Sequence, residues 1–171
     1  NILLNRFLSI LILTFLFILT AFRHEDIGTD TTAYLEIYEW FKVSEFNGRY
    51  EPLFAEITRL LTKYTDNSRV FLIIFALLAY LPIYFFLKIE SKNALYASLL
   101  FFIIFFIDYV TMLRQSVALS IVMIGLIFLQ KNKVKAFYLC ILLAAGFHLS
   151  ALIGFLFPLL KNITFSIKRA F

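Results

Sequence analysis

The 171-residue chain has few of the residues on which several kinds of functional site depend. Its one cysteine, Cys140, lies in an apolar run, so there is neither a disulfide framework nor a thiol-based metal site. The two histidines, His24 and His148, have no H-x-x-x-H spacing and no cysteine cluster beside them, so we expect no metal and no other cofactor. No glycine-rich phosphate loop and no G-x-S-x-G elbow occurs, which argues against nucleotide hydrolysis and ordinary esterase chemistry.

Charge is also scarce, since only 16% of the residues are charged whereas 62% are apolar and 19% are aromatic. No water-soluble globular domain needs so much apolar surface, so the composition indicates an integral membrane protein. The apolar segments are continuous and lack the alternation of an outer-membrane barrel, which predicts helical spans. We therefore predict an all-α, polytopic helical membrane protein.

The net charge of +5 arises from short basic clusters that flank apolar runs. The clusters consist of Lys88 and Lys92, of Lys131, Lys133 and Lys135, and of Lys161, Lys168 and Arg169. This distribution is typical of cytoplasmic membrane flanks that also face anionic lipid headgroups. It predicts the lipid bilayer as a partner and no nucleic acid.

The chain is predicted to form a single membrane domain over residues 1–171, and to be a fragment because it begins with Asn1 rather than Met. The predicted spans are about 7–22, 70–87, 94–109, 113–130, 136–147 and 149–160, with an outer-face loop at 23–69. The first span could pass for a signal peptide, but the spans that follow favour a retained helix.

The predicted loop contains nine acidic and six basic residues, which favours the non-cytoplasmic face. Apolar residues at helical spacing predict two amphipathic helices in this loop, lying on the membrane surface. Asp30 is a plausible N-cap for the first helix, and Pro52 suits the first turn of the second. A turn at Asn47-Gly48 is predicted to join them.

The last apolar run, residues 136–160, is ambiguous, because a single crossing would leave the basic residues that follow it outside. A break at Gly146-Phe147-His148 would give two arms of about 12 residues, or roughly 18 Å each. Such arms are too short for each to cross a hydrocarbon core of about 30 Å comfortably. We therefore predict a re-entrant or broken helix pair with His148 at its turn, below the outer surface.

Four polar segments reach the same outer side in this topology: residues 22–30, 50–54, 108–115 and 148–150. An ionisable ring at membrane depth, such as His148, is costly unless it faces protein or a cavity, so it is a candidate for function. Arg114 offers a planar guanidinium suited to phosphate or diphosphate oxygens. Convergence of such groups is what a catalytic or binding cavity requires.

Each of these residues also has a purely structural interpretation. Arg114 could extend to the lipid headgroups or pair with Asp108, and His148 could bond a backbone carbonyl freed at the break. Asp30 could be only an N-cap, and Glu51 could only place negative charge at a helix start.

The ordered segments resemble a known family. The pattern is Phe22-Arg23-x4-Gly28-x-Asp30-x3-Tyr34, Glu51-Pro52-Leu53-Phe54, Leu113-Arg114-Gln115-x2-Ala118 and Phe147-His148-x-Ser150-Ala151. This order resembles the EpsG family, whose members are multi-pass proteins of bacterial exopolysaccharide, capsule and O-antigen clusters, similar to Wzy-type polymerases. The extra His24-Glu25-Asp26 departs from the pattern by making the first segment more acidic, and the resemblance implies further C-terminal spans.

The resemblance implies glycosyl transfer on the outer face of the bacterial cytoplasmic (inner) membrane, between polyprenyl-diphosphate-linked oligosaccharides. Other polysaccharide-export machinery would be a further partner. The expected catalytic residues are His148, Arg114 and Asp30, and the expected substrate-binding residues are Arg23, Tyr34, Glu51, Gln115 and Ser150. Arginines would carry the diphosphate charge without a metal, and His148 or Asp30 would act on the acceptor hydroxyl. A transporter or flippase for the lipid-linked glycan and a non-catalytic membrane subunit are the alternatives.

Overall fold

The computed structural model describes residues 2–44 and 49–160, and every regular element within them is helical. The elements are α1 (Ile2–Ala21), α2 (Thr31–Val43), α3 (Pro52–Tyr64), α4 (Ser68–Glu90), α5 (Ala94–Thr111), α6 (Leu113–Gln130), α7 (Val134–Ala145), a 3₁₀ helix (Leu149–Leu156) and α8 (Phe157–Leu160). Four of them, α1, α4, α5 and α6, are long and apolar enough to span a bilayer. The predicted polytopic all-α fold is thereby confirmed.

Side-chain caps and a one-residue break set the limits of the long helices. The Asn67 side chain accepts the backbone N–H of Arg69 at 2.9 Å where α4 begins, and Asn93 accepts that of Tyr96 at 3.2 Å where α5 begins. Only Met112 separates α5 from α6. A hydrogen bond from the start of α4 to the segment after α1, and the close approach of that segment to the end of α5, place these helix ends together. With the start of α6 they form one end of the bundle, called here the loop end.

The spanning helices are joined by buried hydrogen bonds between side chains. Thr20 of α1 bonds Tyr80 of α4 at 3.0 Å, and Ser98 of α5 donates to Ser9 of α1 at 3.1 Å. Tyr109 and Ser120 link α5 to α6 at 2.6 Å. Where lipid offers no hydrogen-bond partner, such pairs favour a defined helix arrangement.

The helices α2 and α3 pack with aromatic rings on the loop end of α4. Tyr34 and Tyr38 of α2 lie 6.3 and 5.7 Å from the Phe71 ring, measured between centroids, and Phe54 of α3 lies 5.3 Å from Phe75. The opposite faces of both helices are exposed, as expected for the predicted amphipathic helices. The predicted turn at Asn47-Gly48 lies outside the described residues.

The last apolar run folds back on itself, as the predicted broken helix pair requires. The helix α7 ends at Ala145, and the 3₁₀ helix with the start of α8 returns antiparallel along it. The ring centroids are 5.0 Å apart for Tyr138–Phe155 and 6.3 Å apart for Phe137–Phe157. The basic residues Lys161, Lys168 and Arg169, whose charge favours a return of the last apolar run to the cytoplasmic side, lie outside the described residues.

A single backbone carbonyl joins the turn of this hairpin to α3. The Gly146 oxygen accepts the backbone N–H groups of Leu53 and Phe54 at 2.9 and 3.1 Å, in the first turn of α3. These N–H groups have no partner within their own helix. A Cβ at position 146 would lie 2.6 Å from Leu53 Cγ, so the close approach requires glycine.

Replacing Gly146 by alanine is therefore expected to separate α3 from the hairpin and to lower the free energy of unfolding by about 1–3 kcal/mol, the usual cost of overpacking. Thermal unfolding in detergent measures this loss. In a Leu53→Ala background the two shortest contacts are gone, so Gly146→Ala should cost less there than it does in the wild type. Wild-type stability in Gly146→Ala would contradict the packing.

Candidate functional site

Three charged or titratable side chains meet at the loop end from three separate parts of the chain. Glu51 immediately precedes α3, Arg114 is the second residue of α6, and His148 immediately precedes the 3₁₀ helix. The bonds from α3 to the Gly146 carbonyl bring Glu51 over the turn that carries His148. We call Glu51, Arg114 and His148 the loop-end cluster.

The strongest contact of the cluster is an ion pair between Glu51 and Arg114. The Arg114 Nη1 atom donates to Glu51 Oε2 at 2.6 Å, and the two side chains are 28% and 11% exposed. The Arg114 Cζ atom also lies 5.8 Å from the centroid of the Tyr50 ring and 5.2 Å from that of Phe54. Ring faces and a partly desolvated carboxylate both hold the guanidinium in place.

Tyr34 extends this arrangement from α2. Its side chain is 5% exposed and interacts with the Arg114 guanidinium. The Arg114 Nε atom is buried and has no hydrogen-bond partner among the described residues. The arginine is thus fixed in orientation while part of its side chain still faces the surface.

His148 faces the second oxygen of the same carboxylate. Its Nδ1 atom lies 3.6 Å from Glu51 Oε1, which is too long for a hydrogen bond. This Nδ1 atom is buried and has no hydrogen-bond partner within the described part of the chain, although the side chain as a whole is 31% exposed. The exposed part of the ring therefore lies away from Nδ1.

Gln115 and Ser150 lie beside the cluster in an apolar cleft. The cleft lies between α6 and the 3₁₀ helix and has a volume of about 280 Å³. Gln115 directly follows Arg114, and Ser150 comes two positions after His148. The rest of the lining is apolar and includes Val122, Gly154 and Phe157. The arrangement combines an amphiphilic cleft with a cation and an imidazole.

Arg23 does not join the cluster and instead ties α1 to α2. The residue is 3% exposed, and its Nε and Nη1 atoms donate to Thr31 Oγ1 at 2.7 Å and to the Thr20 carbonyl at 2.6 Å. Arg69 donates to the Arg23 carbonyl and so adds α4 to this junction. Burial lowers the pKa of Arg23 to about 10, which leaves it positively charged at neutral pH.

Asp30 stands at the N-cap position of α2, but its carboxylate does not cap the helix. It accepts a hydrogen bond from Thr29 Oγ1 at 3.1 Å, while its backbone carbonyl accepts the N–H of Tyr34 at 2.9 Å. No hydrogen bond or ion pair described in residues 2–44 and 49–160 joins Asp30 to Arg114 or His148.

The alternative in which Arg114 pairs with Asp108 is wrong, since Arg114 pairs with Glu51. Asp108 is exposed near the end of α5, on the other side of the break at Met112. The interpretation of Glu51 as only a charge at a helix start was also incomplete, because Glu51 contacts two other elements. The sequence signal for such a contact is general: ionisable side chains near membrane depth usually pair with other polar groups, but this does not identify the partner.

No group of three or more His, Cys, Asp and Glu side chains that could hold a metal ion occurs in the described parts of the chain. The absence of a metal and of any other cofactor from the active protein stays a prediction. Within the loop-end cluster, the cationic group that could meet an anionic ligand is the Arg114 guanidinium.

The Glu51–Arg114 contact should contribute measurably to stability. Glu51→Ala and Arg114→Ala each leave a partly buried charge without its partner, and each is expected to cost about 1–3 kcal/mol. A double-mutant cycle of unfolding free energies should give a coupling of about 2 kcal/mol.

The matched control is Glu56 with Arg59, an ion pair of 2.8 Å on the more exposed face of α3. Its coupling should be about 0.5 kcal/mol, because solvent weakens exposed pairs. Equal couplings for the two pairs would contradict the special position of the Glu51–Arg114 pair.

The loop-end cluster and the helices that carry it lie within the residues matched by one protein-family model. The family model described as the EpsG family matches residues 6–171, and so covers nearly the whole chain and each member of the loop-end cluster. Searches of the curated proteins and of the solved structures returned no significant match. The chain belongs to the EpsG family.

Proposed function

We propose that the protein is a membrane polysaccharide polymerase, a metal-independent glycosyltransferase that joins polyprenyl-diphosphate-linked repeat units on the outer face of the bacterial cytoplasmic membrane. Membership of the EpsG family supports a polysaccharide-polymerase-like role in general. The observation that carries the specific proposal is the loop-end cluster, in which a fixed guanidinium and a partly exposed imidazole share one carboxylate. The product would be exopolysaccharide, capsule or O-antigen.

The acidic character of the loop supports placing this end of the bundle outside. Residues 23–69 carry nine acidic and six basic side chains, whereas the basic clusters around Lys88 and Lys133 lie at the opposite helix ends. Cytoplasmic flanks are enriched in lysine and arginine. The cluster would therefore lie where lipid-linked glycans are exposed for polymerisation.

The proposed reaction uses the two partners of Glu51 for different tasks. The acceptor hydroxyl attacks the anomeric carbon of the donor glycan, a new C–O bond forms, and the C–O bond to the diphosphate breaks with its electron pair on the diphosphate oxygen. Arg114 stabilises the negative charge that collects there, and His148 receives the hydroxyl proton. The products are a lengthened lipid-linked glycan and free polyprenyl diphosphate.

The remaining residues have secondary places in the proposal. Gln115 and Ser150 would bind polar parts of the substrate at the mouth of the cleft, whose apolar walls suit the lipid chain. Tyr34 would orient Arg114, and Arg23 would hold α1, α2 and α4 in register beneath the site. Asp30, which has no described contact with the cluster, would act only from the surrounding loop.

An assay with the full-length protein in liposomes and purified lipid-linked repeat units tests the proposal. The wild type should lengthen the glycan without ATP, and Arg114→Ala and His148→Ala should each lower the rate by about 100-fold or more. His24→Ala and Arg59→Ala are matched controls at exposed positions and should retain wild-type rates.

Two outcomes would overturn the proposal. Translocation of the lipid-linked glycan with unchanged chain length would indicate a transporter or flippase. Full-length polymer in cells that carry Arg114→Ala or His148→Ala at normal protein levels would indicate a non-catalytic subunit.

A further inference from the structure

We infer that Glu51 is a positioning residue that fixes His148 in the Nδ1–H tautomer and so directs the Nε2 lone pair toward the acceptor hydroxyl. The role given to Nε2 rests on the proposed function, whereas the tautomer of the ring does not depend on it. It assigns the controlling carboxylate of the site to Glu51 instead of Asp30, which has no described contact with the ring.

Glu51 is itself held firmly enough to orient another group. Its Oε2 atom is bonded to Arg114, and its backbone leads into Pro52 and the two N–H groups bound by the Gly146 carbonyl. The carboxylate is consequently left with Oε1 toward the ring of His148, at 3.6 Å from Nδ1.

The chemistry of the imidazole decides which nitrogen carries the proton. A neutral ring has one N–H donor and one acceptor nitrogen, whereas an ionised carboxylate only accepts. A lone pair on Nδ1 would face the lone pairs of Oε1, whereas an N–H at that position is attracted to them. No hydrogen-bond partner for Nδ1 occurs among the described residues, so Glu51 is the group that favours a proton at this nitrogen.

The surroundings of the ring reinforce this preference. The charged and titratable groups described around the contact include Glu51, the Arg114 guanidinium beyond it and the phenols of Tyr34 and Tyr50 beside that guanidinium. A second guanidinium, that of Arg49, lies 5.7 Å from the centroid of the Tyr50 ring. Among the described residues, Glu51 is the carboxylate that faces Nδ1. Supporting contacts of a general base often tighten when substrate binds, so a separation of 3.6 Å suits this role.

The proton balance then follows from the tautomer. As the acceptor oxygen bonds the anomeric carbon, its proton passes to Nε2, while the electron pair of the broken bond leaves with the diphosphate. Both ring nitrogens then carry protons, and the positive imidazolium is stabilised by Glu51. Transfer of the Nε2 proton to water restores the starting tautomer.

Nitrogen-15 NMR of histidine-labelled protein tests the inference directly, because the chain contains only His24 and His148. Under conditions in which the ring is neutral, the Nδ1 signal of His148 in the wild type should have the shift of a protonated nitrogen. Glu51→Ala should move it toward the unprotonated position, and Glu51→Asp, which retains a carboxylate, should preserve a larger protonated fraction. His24 assigns the spectra and monitors folding.

The matched control is Glu56→Gln, which removes a charge from the same helix at an exposed position. It should leave the His148 signals unchanged. An unprotonated Nδ1 in the wild type would overturn the inference without any variant, and a protonated Nδ1 that persists in well-folded Glu51→Ala would overturn it equally.

The liposome assay separates this inference from the proposed function. If the wild type is active, Glu51→Ala should lower the polymerisation rate by at least about tenfold, the low end for a group that orients a general base. Glu51→Asp should recover part of the lost rate. The protein could instead show no polymerase activity while its Nδ1–H tautomer still depends on Glu51. That result would uphold the inference about the ring and reject the proposed function.

Discussion

The placement of the candidate site depends on the backbone carbonyl of Gly146. Because α7 stops one residue earlier, this oxygen is free to accept two N–H groups from the first turn of α3. The same bonds satisfy helix-end donors that would be costly without partners near the membrane. They also join an amphipathic loop helix to a membrane hairpin, and so bring Glu51 to Arg114 and His148.

Much of the fold could be predicted from the sequence because membranes impose strong constraints. Long apolar runs must form helices, and the basic flanks favour one orientation of each helix. The break at Gly146 followed from the same charge argument, and the structure has a broken pair there. The hydrophobic pattern does not predict the 3₁₀ form of the arm after Gly146 or the hydrogen bonds between the Gly146 carbonyl and α3. Both depend on packing between distant segments.

The candidate site was predictable only in part. Arg114 and His148 were identifiable because polar groups at membrane depth are costly. Their shared partner was not, since Glu51 lies 63 residues from Arg114, and Asp108 was a closer candidate in sequence. Arg23 shows a different limit: its role in substrate binding stays a prediction, and the structure places it in a buried junction of α1, α2 and α4, which periodicity does not predict.

The central claim is that the loop-end cluster lies together at the outer surface of the membrane. Cysteine accessibility tests it most directly, in a protein with Cys140, the only cysteine, replaced by alanine and His148 replaced by cysteine. A membrane-impermeant maleimide should label position 148 in intact cells or right-side-out vesicles. Labelling only from the cytoplasmic side would contradict the account.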